Sequence, residues 1–194
     1  MSASDFLFYF ELGWSHIISL DALDHQLFIL ALVVVYTTKQ LKEILILVTA
    51  FTLGHSVTLA LSTLDIIRFD SKWVEFLIPC SIFITAVVNL LRNDRKQKTV
   101  QINYYLALFF GLIHGMGFAN SIRMMLAKDQ DIGWGLFGFN LGLEVGQIIF
   151  VVLTMLVSSV FLYFFKVRQR DWIIFVSSAV FALALQMALQ RIPF

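Results

Sequence analysis

The chain has 194 residues, of which 59% are hydrophobic and only 14% charged, with a formal net charge of +1. Soluble domains carry roughly 25% charged residues, so this composition excludes nucleic-acid binding and most soluble enzyme classes. The apolar residues come in long blocks, each near the roughly 20 residues that a helix needs to cross the hydrocarbon core.

The N-terminal stretch carries Phe6, Leu7, Phe10 and Trp14 at half-amphipathic spacing and reads as a segment lying at the membrane interface. It lacks the features of a secretory signal. No Lys or Arg precedes Lys39, and Asp5 and Glu11 stand where a basic region belongs, so the N-terminus is expected to be retained. Six spans are then predicted, over about 20–38, 41–64, 73–91, 103–126, 133–165 and 172–189. The third contains Pro79, a kink that packing partners can accommodate. It also contains Cys80, the one cysteine, which reads as a packing residue and allows no intrachain disulfide. The fifth is longer than a bilayer is thick, so it is tilted, kinked near its glycines, or begins outside the membrane. The expected fold is an all-α membrane protein, a single transmembrane domain over 1–194 with about six helices.

Basic residues set the orientation. Loops after the first, third and fifth spans hold Lys39, Lys42, Arg92, Arg95, Lys96, Lys98, Lys166, Arg168 and Arg170, nine of the 14. The opposite side holds Arg68, Lys72, Arg123, Lys128 and Arg191. The positive-inside rule therefore places both termini outside. The outer side is acidic, with Asp5, Glu11, Asp21, Asp65, Asp70, Glu75, Asp129 and Asp131, and such a face concentrates cations at a mouth.

All four histidines, His16, His25, His55 and His114, fall in or beside apolar spans. An ionisable group at membrane depth is costly and marks a site by default, although a single neutral imidazole often only bridges two helices. Four, with carboxylates at matching depth, argue for a site. At 1.5 Å per residue, His25 lies roughly 8 Å inside span one, His55 roughly 14 Å inside span two and Glu144 roughly 17 Å down span five, with His114 similarly deep. That slab runs from the outer third to the midplane. His16 is placed at its entrance.

Asp21 and His25 are spaced i,i+4, and Asp24 is adjacent, so a carboxylate can ligate a metal or fix the imidazole from behind. Asp21 reads equally well as a helix N-cap. Ser56, Thr49, Thr52 and Thr58 surround His55 and are expected to bond back to carbonyls. Gly111, Gly115 and Gly117 around His114 suit close helix approach, as do Gly138, Gly142 and Gly146 on span five. Asn140, Glu144 and Gln147 form a polar stripe at i, i+4, i+7 on that span. With no basic residue nearby in sequence, Glu144 is protonated or neutralised by a cation. Imidazole with carboxylate and amide oxygens suits Ni, Co, Zn or Cu.

The segments GWSHI, LDHQLFILAL, FTLGHSVTLAL, GLIHGMGFA and FNLGLEVGQ resemble, in order, those of the HupE/UreJ family of small bacterial membrane proteins. The spacer between His16 and Asp24–His25 is longer than in better-known members, which marks a divergent branch. The resemblance implies nickel or cobalt uptake across the bacterial inner membrane. It also implies a metal site drawn from His16, Asp24, His25, His55, His114 and Glu144; the spacing of the residues themselves adds Asp21, Asn140, Gln147 and Ser56 as supporting polar groups. The primary reading is a secondary permease for a divalent cation, with the lipid bilayer as its setting and a homo-oligomer compatible with it. The alternative is an intramembrane metal-dependent hydrolase using the same cluster. A haem carrier would need paired axial histidines, and by this count His25, His55 and His114 differ too much in depth to pair.

Overall fold

The computed structural model describes residues 3–91, 100–126 and 132–194, and no strand occurs among them. The helices of the described residues are α1 (Ala3–Ile18), α2 (Leu23–Val33), α3 (Leu41–Thr63), α4 (Ser71–Leu91), α5 (Val100–Leu126), α6 (Ile132–Ser159) and α7 (Gln169–Gln190). A 3-10 turn at Leu20–Ala22 joins α1 to α2, another at Thr38–Gln40 leads into α3, and a π-helical turn at Val160–Phe164 extends α6. The basic run from Arg92 to Lys98 falls outside the described residues. So do Lys128, Asp129 and Asp131, and the side chains of Asp21 and Arg123.

Lipid offers the backbone no hydrogen-bond partner, so apolar blocks of this length close their peptide groups on themselves as helices. Four helical segments of the described residues are long and apolar enough to cross a membrane: 38–63, 71–91, 133–164 and 169–190. A fifth arises if α1 and α2, bent by 67° at their junction, count as one broken span. Leu53, Val57, Phe109, Phe137, Leu153 and Phe175 point outward, which suits a lipid surround. α6 runs unbroken through its glycines, and Pro79 sits inside a continuous α4.

The N-terminal stretch departs from the sequence expectation. It packs along α6 with Tyr9 and Ile17 buried, so it is part of the bundle. Glycine is the cause. A Cβ at Gly13 would overlap the Phe139 carbonyl, and a Cβ at Gly142 would overlap the Phe10 carbonyl. Phe6 meets Gly138, Phe10 meets Gly142 and Ile17 meets Gly146, so the two helices run parallel. α3 and α5 form a second parallel pair by the same device: Gly54 abuts Leu108 O, Gly111 abuts Phe51 O and Gly115 abuts His55 O. Small residues of this kind let backbones touch where no hydrophobic force drives helices together. α4 and α7 pack antiparallel, with Phe83 on Phe181 and Trp73 on Phe194. α2 lies in the middle, against α4, α6 and α7.

Candidate metal centre

The break between α1 and α2 creates the site. Stopping a helix inside an apolar bundle strands its last carbonyls. Gln26 repairs this, its side-chain amide donating to Ile17 O and Ser19 O, both at 2.9 Å. The break brings His16, in the last turn of α1, against His25, in the first turn of α2, with ring centroids 4.7 Å apart. His55 of α3 completes the group, 6.3 Å from His16 and 5.9 Å from His25. One nitrogen from each of the three lies within 4.8 Å of the other two. Nitrogens bound to one ion at about 2.0–2.1 Å stand at most roughly 4 Å apart, so small ring rotations would close the group on a metal.

The hydrogen bonds leave the right lone pairs bare. Asp24 Oδ1 accepts the His25 backbone N–H at 2.9 Å and pairs with His25 Nδ1 at 3.1 Å. That assigns the proton to Nδ1 and leaves Nε2 open. His16 Nε2, His25 Nε2 and both nitrogens of His55 are buried with no hydrogen-bond partner. Burying a polar atom unpaired is costly, and such atoms call for an explanation. A cation supplies one. Asp24 Oδ2 also lies 3.7 Å from Arg191 Nη1, just beyond the end of α7.

His114 stands beside this triad, its ring 5.0 Å from that of His25. Its Nε2 meets Ser81 Oγ at 3.2 Å, while the Ser81 hydroxyl donates to Ile78 O at 2.6 Å. The only serine proton is thus committed, so Ser81 accepts from His114 Nε2–H and the buried Nδ1 is left unpartnered. Phe118 lies 4.0 Å from the His16 ring, and Phe51, Phe28 and Phe139 add further aromatic walls. A shell of this kind keeps water away and strengthens ligand interactions.

Other expected residues lie elsewhere. Glu144 is not brought into the triad. Its Oε1 accepts from Thr49 Oγ1 at 2.8 Å, and Gln147 Oε1 accepts from Thr52 Oγ1 at 2.8 Å. The stripe of α6 therefore docks on the threonines of α3, which depth counting could not distinguish from facing the histidines. Asn140 bonds to Leu136 O at 2.9 Å and Ser56 to Thr52 O at 2.7 Å, both local back-bonds. Asp21 lies in the junction turn, its side chain outside the described residues. His16 is expected apart from the inner histidines, but it clusters with His25 and His55, because α1 runs along α6 up to the break. The depth mismatch expected among His25, His55 and His114 does not occur either, since their rings share one cluster.

Gln26, Ser81 and Arg191 were missed in the sequence. Only Gln26 left a signal, an amide in the first turn of an apolar helix. Gln26→Leu would strand both carbonyls at the break, at a cost of roughly 2–5 kcal/mol. Its melting temperature in detergent should fall by several degrees, and an unchanged melt would show that the break needs no such cap.

Comparison with curated proteins and with solved structures finds no match. A family model described as HupE / UreJ protein matches residues 1–191. The chain therefore belongs to the HupE/UreJ family, membrane proteins tied to metal transport.

Proposed function

We propose that the protein is a secondary permease for a divalent transition-metal cation, nickel or cobalt, in the bacterial inner membrane. In this reading the chain crosses six times, with α1 and α2 as one broken span and α5 as the fourth. Both termini face outward, as the excess of basic residues in the loops after the first, third and fifth spans favours. His16, His25 and His55 take the cation, Asp24 holds His25 in its ligand tautomer, and His114 stands by as a further nitrogen. The acidic outer face gathers the ion and Arg191 lies over Asp24.

The observation that carries the reading is the unpaired histidine nitrogens at a broken helix. Discontinuous spans are where transporters place ion sites, since the interrupted backbone is tolerated only in protein or at a cavity. Water activation is less well supported. Asp24 is engaged by His25 and Arg191, and Glu144 by Thr49, so neither carboxylate stands ready as a base beside the triad.

Purified protein in vesicles should pass Ni2+ or Co2+, followed by a trapped metal indicator. Acidifying the medium should release bound metal, because protons compete for the same imidazole lone pairs. Metal-loaded protein with no flux, together with slow hydrolysis of an amide or ester, would overturn the transport reading.

A further inference from the structure

A positive charge stands against the histidine cluster, where attraction for a cation would call for none. Arg191 is the residue at which α7 ends, and a cation suits the carbonyl end of a helix. Its side chain does more than that, because it reaches a different helix. Nη1 lies 3.7 Å from Asp24 Oδ2, in the first turn of α2. Charge-assisted N–H···O hydrogen bonds run to about 2.9 Å, so this pair is held by charge and not by a fixed fork. Arg68, also past the end of a helix, turns instead to Asp65, three residues back on its own loop. Exposure falls from Arg191 at 35% through Asp24 at 17% to His25 at 5%. The guanidinium thus works at a rim, and its effect passes inward to groups that solvent screens only weakly.

The three side chains form one line of contacts. Asp24 Oδ1 holds His25 Nδ1 at 3.1 Å and Oδ2 faces Arg191, which leaves His25 Nε2 for the cation. A carboxylate behind a ligating imidazole makes that imidazole a stronger ligand. A guanidinium behind the carboxylate works the other way, drawing on the charge that Asp24 lends to His25. It also repels the cation directly. Both effects have the same sign: Arg191 loosens the hold of the triad on its ion. A transport site gains from this, since conduction needs binding weak enough to leave.

We infer that Arg191 sets how readily the triad releases its cation, acting through Asp24 and His25 as a positioning residue and not as a ligand. The inference rests on the transport reading, with the triad as the cation site.

The test follows Ni2+ affinity in detergent, by competition with a chelator, and Ni2+ uptake into vesicles. It compares wild type, Arg191→Gln, Arg191→Lys, and Asp24→Asn with and without Arg191→Gln. Arg191→Gln should bind Ni2+ about tenfold more tightly, the lower end of what partners behind a ligand are worth. Its uptake should show a lower KM together with a lower kcat, because a cation held harder leaves more slowly. Arg191→Lys keeps the charge and should stay near wild type. In the Asp24→Asn background most of the gain should disappear, since no carboxylate remains for the guanidinium to act on. Unchanged affinity in Arg191→Gln overturns the inference and leaves Arg191 a helix-end charge. Weaker binding overturns it too, since Arg191 would then only steady Asp24. Equal tightening in Arg191→Gln and Arg191→Lys also defeats it, because charge would not be the cause. Wild type that binds Ni2+ but passes none sinks the transport reading, while the affinity comparison still decides what Arg191 does to the triad.

Discussion

His55→Ala should leave the purified protein, loaded with Ni2+ and desalted, with only background metal, whereas Glu144→Gln should retain the wild-type content. His55 is fully buried and neither of its nitrogens has a partner. It is also the only triad member from α3, and His114, the one further imidazole nearby, lies outside the triad. Removing an outer partner of a ligand costs about 10- to 100-fold in metal affinity; removing the ligand itself should exceed that. Asp24→Ala supplies the comparison, an intermediate loss, because His25 would keep its nitrogen but lose the carboxylate that fixes its tautomer. Glu144→Gln keeps an oxygen for the Thr49 hydroxyl and leaves the triad untouched. Elemental analysis reads all three. Equal metal in His55→Ala and wild type would remove the basis of the site, and metal loss in Glu144→Gln would bring Glu144 back into it.

Glu144 and His16 show where sequence reading succeeds and where it stops. Apolar blocks carry span positions well, because in lipid length and hydropathy nearly dictate a helix. α3, α4, α7, and α6 together with its π-helical turn accordingly begin and end within a few residues of the blocks read from the chain. Position along each helix was legible too, since a helix converts residue number into distance along its axis. Azimuth was not. Glu144 accepts from Thr49, and only the packing of α6 on α3 decides that. His16 was misplaced for a different reason. The break at Ser19–Ala22 has neither glycine nor proline to announce it, and its repair by Gln26 comes from the next helix. Ser81 gave no signal either, because a serine in an apolar span normally just bonds back to a carbonyl, as this one also does.

The glycine contacts carry the second large effect. Gly142→Val and Gly111→Val should each abolish recovery of monodisperse folded protein, while Gly133→Ala should fold as wild type or slightly better. In a helix interior alanine is favoured over glycine by about 1 kcal/mol, so propensity alone predicts a gain at all three positions. Packing reverses the sign at two of them. A Cβ at Gly142 would overlap the Phe10 carbonyl oxygen and a Cβ at Gly111 that of Phe51, whereas a Cβ at Gly133 meets nothing within 4 Å. Overpacking a core commonly costs about 1–3 kcal/mol, because side chains can rotate aside. A backbone carbonyl cannot, so relief requires the helices to separate. Separation would also reach the metal: the α1–α6 contact sets where His16 stands, and the α3–α5 contact sets His55 and His114. The milder Gly142→Ala should therefore reduce Ni2+ affinity even where the protein still folds, with no ligand altered. Wild-type affinity and stability in that variant would show that His16 is held by something other than the glycine seam.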